Sequence, residues 1–194
     1  MNSFSFYLQF GFTHILDLAG YDHMLFLLAL CAIYRFAQWK KVLIMVTAFT
    51  IGHSLTLALA ALDIIQLPGA LIEFLIAFTI FLTAIYNLYF SPEEVGNKNP
   101  RPTYLMALGF GLIHGMGFSN QFKALIGTEE SIVPILFPFN LGIELGQIMF
   151  VGIILLNAHV LMDKLGLAFK TWKFGLSLLA ANIAIYLMLT RVWG

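Results

Sequence analysis

The chain has 194 residues, of which 60% are hydrophobic and 10% charged, with 10 basic against 10 acidic side chains and a mean hydropathy of +0.90. A soluble domain is nearer about 45–50% apolar and about 25% charged. The composition therefore excludes an ordinary globular domain and points to an all-α, polytopic integral membrane bundle, a single transmembrane domain over residues 1–194. Zero formal net charge gives no electrostatic footprint for nucleic acid, and the lone Cys31 excludes an internal disulfide or a multi-cysteine metal site.

Taken in chain order, apolar stretches of about 20 residues separated by polar or Pro/Gly breaks predict six spans. The first runs from about Phe6 to Tyr34, long enough to be tilted or broken, with Gly20 the expected break. The second covers Val42 to Leu62 and the third Pro68 to Phe90. The polar segment Ser91 to Pro102 reads as a loop, and the fourth span follows from Thr103 to Phe122. A loop holding Thr128, Glu129, Glu130 and Ser131 precedes the fifth, Pro134 to Val160, and the sixth is Trp172 to Val192. The first basic residue is Arg35, so no secretory leader is expected and the first apolar stretch should remain as a span.

The basic residues orient this arrangement. The first, third and fifth loops hold Arg35, Lys40, Lys41, Lys98, Arg101, Lys164, Lys170 and Lys173, whereas Lys123 and Arg191 are left for the other side. Positive residues accumulate on the cytoplasmic face, which places both termini outside. Tyr34, Trp39, Tyr104, Trp172 and Trp193 fall at span ends, as interfacial aromatics do. Six spans divide into two sets of three that cross in opposite senses, the plan of an inverted repeat. Gly52-His53 and His114-Gly115 are the echoes that suggest it.

The chemistry lies in polar groups at membrane depth. A charged side chain near mid-bilayer costs about 2.5–3.5 kcal/mol even on lenient scales, yet the first span carries His14, Asp17, Asp22 and His23. His23, His53 and His114 fall near the middles of three spans, Asp22 is beside His23, and Glu144 lies toward the outer side of the fifth. A single intramembrane histidine is ordinarily a hydrogen-bonded packing residue. Three imidazoles and two carboxylates at similar depth suit a first-row divalent ion such as nickel, cobalt, zinc or iron. On a continuous helix His14 would lie roughly 13–14 Å from His23 and face the other way. The spacing thus favours a separate outer site where an ion comes in, made by His14 and Asp17 with Glu73 nearby, unless the chain unwinds near Gly20. Ser54, Asn140 and Gln147 are the supporting polar groups, and His159 reads as structural.

The stretches GFTHILDLAGYDHMLFLLAL, FTIGHSLTLALAAL, GFGLIHGMGF and FNLGIELGQ resemble the HupE/UreJ family of membrane proteins, closest to its second, more divergent branch. The resemblance implies a nickel or cobalt permease of the bacterial cytoplasmic membrane, tied to metal supply for hydrogenase or urease. It also implies a first-span motif of a histidine followed by an Asp-His pair, here His14, Asp22 and His23. The spacing from His14 to Asp22 is two residues longer than in the nickel permeases proper. Their second histidine-rich motif is reduced here to His114, with Glu144 a span later.

Two functions compete for these residues. In the first, a divalent cation passes His14 and Asp17 and is held by Asp22, His23, His53, His114 and Glu144. Protons would compete for the imidazoles, so uptake should fall in mildly acidic medium. In the second, three histidines hold zinc with an open water position and Asp22 or Glu144 acts as base, an intramembrane hydrolase of lipid or acyl substrates, with Ser54 at the site. A metal-binding sensor or assembly partner is a weaker third. A polar path from the outer surface favours the ion, and a sideways opening to lipid favours the hydrolase.

Overall fold

The computed structural model describes residues 3–90, 101–126 and 132–193. The segment around Lys98, the acidic pair Glu129-Glu130 and the Trp193 side chain lie outside the described residues. Among those described there are eight α-helices: α1 Ser3–Leu16, α2 Asp22–Cys31, α3 Trp39–Ala61, α4 Gly69–Tyr89, α5 Arg101–Gly117, α6 Ser119–Ile126, α7 Val133–His159 and α8 Phe169–Trp193. Four of them, α3, α4, α7 and α8, are long and apolar enough to cross a membrane. The others, α1, α2, α5 and α6, have 14, 10, 17 and 8 residues.

The short helices come from breaks in two apolar stretches. The first stretch is interrupted at Asp17–Tyr21, where a 3-10 turn at Leu18–Gly20 separates α1 from α2. Gly20 thus falls inside the break. The fourth stretch is interrupted at Phe118, between α5 and α6, where no break is expected from hydropathy. Arg101 and Pro102 also belong to α5 rather than to the preceding loop, proline being well suited to a first helical turn. Tyr34 departs from the interfacial pattern. It is buried, and its hydroxyl donates to the Met45 sulfur at 3.5 Å.

Three helix pairs carry the packing: α1 with α7, α3 with α5, and α4 with α8. The first two are in backbone contact. A Cβ added to Gly11 would lie 2.0 Å from the Phe139 carbonyl oxygen, and one added to Gly142 would lie 2.1 Å from that of Leu8. In the other pair, a Cβ on Gly111 would lie 2.1 Å from the Phe49 oxygen and one on Gly52 would lie 2.2 Å from the Leu108 oxygen. Small residues here let two helices approach closer than any side chain would allow.

These contacts are the same contact made twice. Leu8, Gly11 and Phe12 meet Phe139 and Gly142 as Leu108, Gly111 and Leu112 meet Phe49 and Gly52. The sequence carries the match, LQFGFTH at residues 8–14 against LGFGLIH at 108–114, and FTIG at 49–52 against FNLG at 139–142. The Gly52-His53 and His114-Gly115 echo pairs the wrong positions, since the true counterpart of His114 is His14. Within each pair the helices run parallel, whereas α4 and α8 run antiparallel. At one end of that pair Lys173 donates to the Phe90 carbonyl (2.9 Å), and at the other Arg191 donates to the Glu73 carbonyl (3.0 Å).

Candidate metal site

The break between α1 and α2 decides where His14 goes. It ends α1 at Leu16 and restarts the helix at Asp22, so His14 and His23 occupy the facing ends of two short helices rather than opposite faces of one. Their ring centroids are 4.8 Å apart. His53, from the middle of α3, is 6.1 Å from His14 and 5.7 Å from His23. His114, from α5, is 5.4 Å from His23. The separate outer site favoured by continuous-helix geometry is therefore not what the chain builds, because that geometry fails once the helix is interrupted.

His14, His23 and His53 each offer a ring nitrogen, and the three nitrogens lie within 4.8 Å of one another. Metal–nitrogen bonds of about 2.0–2.1 Å in a tetrahedral site put ligand nitrogens about 3.3 Å apart. The rings therefore need only close by about 1.5 Å at most to share an ion. His14 Nε2, His23 Nε2 and both nitrogens of His53 are buried without a hydrogen-bond partner. An unsatisfied buried polar atom costs about 1–3 kcal/mol, so this many in one place is the signature of a site shaped for a ligand. Imidazole nitrogens as donors fit a first-row divalent cation.

His114 is partly committed. Its Nε2 is 3.0 Å from the Thr79 hydroxyl, and that hydroxyl spends its single hydrogen on the Ile76 carbonyl at 2.7 Å. Nε2 must then carry the proton and donate to Thr79, which leaves a lone pair on the buried, unpartnered Nδ1. Phe49 packs on His23, His53 and His114, and Phe118 on His14 at 4.0 Å, so aromatic rings shield the imidazoles.

The carboxylates stand apart from the three-histidine group. Asp22 accepts from Arg191 Nη2 at 2.7 Å through Oδ2, while Oδ1 is buried and unpartnered. Glu144 accepts from the Thr47 hydroxyl at 2.6 Å. Thr47 lies six residues before His53, about 9 Å toward the Trp39 end of α3, so the Glu144 carboxylate is displaced from the histidines toward that end. Thr50, between Thr47 and His53 on α3, donates to Gln147 at 2.7 Å. Glu144 Oε2, Gln147 Nε2 and Asn140 Oδ1 are buried without partners. The result is a polar strip along the α3–α7 contact. Ser54 donates to the Thr50 carbonyl at 2.7 Å.

A cavity of about 730 Å³ opens onto His14, lined also by Phe10, Thr13, Asp17, Phe118 and Gln121. Asp17 thus shares a cavity with His14. Glu73 lines a different cavity of about 320 Å³ with Gln66, Gln121 and Lys123. Its margin is held by Lys123, which donates to Asp63 alongside Gln66 (2.9 Å); Asp63 sits at φ 58, and these donors hold its carboxyl below the usual carboxylate range. His159 is elsewhere, at the far end of α7, with Nδ1 2.6 Å from Asp163 and its ring 5.5 Å from Phe36.

The family described as HupE / UreJ protein matches residues 1–193. The chain belongs to the HupE/UreJ family. No curated protein and no solved structure matches it significantly. His14 and His23 reach one cluster because they flank the helix break. Sequence reasoning missed Arg191 and Thr79. The signal for Arg191 was present, since a carboxylate at membrane depth requires a cation and Arg191, with Lys173 at the opposite end, is one of two basic residues within the last apolar stretch.

Proposed function

We propose that this protein is a permease for a divalent transition metal, of the nickel and cobalt type, in the bacterial cytoplasmic membrane. The family is associated with nickel and cobalt transport. Six crossings with both termini outside suit the chain, two of them discontinuous: α1 with α2, and α5 with α6. The helix directions support this, since α4 runs antiparallel to its neighbours α5 and α8, and the basic residues cluster at one end. Broken helices that meet at a buried site are the form that ion sites take in secondary transporters.

The single observation that carries the reading is the set of unpartnered imidazole nitrogens of His14, His23 and His53 within reach of one ion. The ion enters through the cavity shared by Asp17, Gln121 and His14. It is bound by the three histidines, with His114 and Asp22 at the margin of the site. It leaves along Asn140, Glu144 and Gln147 toward the cytoplasm. Neutral imidazoles bind a cation without stacking negative charge in a low-dielectric interior. The hydrolase reading loses support from the same geometry: Asp22 is engaged by Arg191, Glu144 by Thr47, and Ser54 by a backbone carbonyl.

The test is accumulation of nickel or cobalt by cells expressing the protein. His23→Ala, Asp22→Ala and His53→Ala should each bring accumulation to the level of cells without it. Undiminished accumulation by the two histidine variants would remove the transport reading.

A further inference from the structure

Arg191 does more than end α8. Its side chain is only 18% exposed and runs inward to bridge three helices. Nη1 donates to the Glu73 carbonyl of α4 at 3.0 Å, Nη2 donates to Asp22 of α2 at 2.7 Å, and Nε lies 3.8 Å from the Glu73 carboxylate. Asp22 is the first residue of α2, immediately before His23. A guanidinium ordinarily grips a carboxylate with two parallel bonds. Here a donor is diverted to Glu73, and Asp22 Oδ1 is left buried and unpartnered.

Charge makes this arrangement consequential. Three neutral imidazoles supply donors but no negative charge, so a bound divalent ion needs a nearby anion. Asp22, next to His23 in the chain, is a carboxylate at the margin of the cluster, and it is already paired with Arg191. The guanidinium therefore occupies the place of a cation, and a loaded site would set it against a like charge. Glu73 offers the alternative anion, with a side chain 60% exposed at the wall of the outer cavity.

We propose that Arg191 is a tethered cation that holds Asp22 while the site is empty and hands it to the transported ion on loading, moving to the Glu73 carboxylate. This deepens the permease reading and rests on it. Loading then severs the tie between α8 and α2 at the moment the ion is bound, and unloading restores it. Arg191 competes with the ion, which keeps affinity low enough for release.

The experiment is cobalt(II) binding by calorimetry on the purified full chain, with cobalt(II) uptake into proteoliposomes. Arg191→Gln should tighten binding about tenfold and lower the maximal uptake rate, a fall in KM together with a fall in kcat. Asp22→Asn leaves the guanidinium beside the site without its partner and should weaken binding about tenfold. The double variant Asp22→Asn with Arg191→Gln should regain most of that loss. A residue that only staples helices would produce neither the tightening nor the rescue. Unchanged or weaker binding by Arg191→Gln, with no rescue in the double variant, overturns the proposal. If Arg191→Gln alone does not fold, the charge-balanced double variant against Asp22→Asn decides in the same way. His53→Ala separates the two claims: wild-type protein that binds cobalt(II) no better than His53→Ala sinks the permease site itself. Wild-type binding with no response to Arg191 sinks only the tethered cation.

Discussion

The pair α1·α7 and the pair α3·α5 share one scaffold and carry different chemistry. In both, a Leu-x-Phe-Gly-x-x-His strip presses its glycine against the backbone of a helix reading Phe-x-x-Gly. Around that common contact the polar groups differ. His14 is half-buried at an open cavity, whereas its counterpart His114 is 1% exposed and bonded to Thr79. His53 on α3 corresponds to Ile143 on α7, and Ser54 to Glu144. The backbone contact is therefore the symmetric part, and the polar groups set around it are the part that differs.

The largest effects should come from breaking the symmetric part. Gly11→Ala and Gly111→Ala each place a methyl about 2 Å from a backbone oxygen, and backbone cannot yield as a side chain tip does. Each should cost about 3 kcal/mol or more and reduce the yield of monodisperse protein in detergent. Gly109→Ala on α5, where nothing lies within 4 Å, should behave as wild type. Equal damage from Gly11 and Gly111 supports the repeat. A benign Gly11→Ala beside a ruinous Gly111→Ala would break it.

The asymmetric part should show next, in accessibility. His14→Cys should react with a membrane-impermeant maleimide added outside at least about tenfold faster than His114→Cys, because buried thiols are inert. The native Cys31 is fully buried and gives a low background. Similar rates at both positions would mean that the two histidines do not face different environments.

Glu144 and its counterpart Ser54 sharpen the same comparison. Glu144→Gln should slow uptake about tenfold while leaving cobalt(II) affinity at the histidines nearly unchanged, the pattern of a lost kinetic step rather than lost binding. A parallel loss of affinity would place Glu144 in the ion's coordination sphere and require the cluster to reorganise on loading.

Much of this was legible in the sequence. Hydropathy found the four long helices because long apolar runs need no tertiary context. The break at Gly20 was legible because polar groups and a glycine interrupt the run. The break at Phe118 was not read, although Gly117 and Ser119-Asn120-Gln121 flank it, because the apolar stretch was carried on to Phe122 across those polar residues. Pitch arithmetic separated His14 from His23 by assuming one continuous helix, an assumption the Asp17–Tyr21 interruption removes. The repeat was visible letter by letter, yet matching Gly-His with His-Gly hid it, and only the reciprocal glycine contacts fix the register. Arg191 counts in the sequence only as a charge on the side opposite the basic loops, because sequence position says nothing of where a long side chain reaches.

The smallest effect should be at His159, which lies in neither the shared contact nor the diverged site. Its partner Asp163 is one turn away, at the π turn Val160–Lys164, and both side chains are at least a third exposed. Exposed pairs at this spacing contribute about 0.3–0.5 kcal/mol. His159→Ala should therefore leave cobalt(II) uptake within about twofold of wild type. Gly166, at φ 73, makes the turn into α8 by backbone conformation and does not depend on that pair. A His159→Ala variant with normal folding and no uptake would mean that the His159 end of α7 takes part in transport, and the proposed route would then have to be extended to that end.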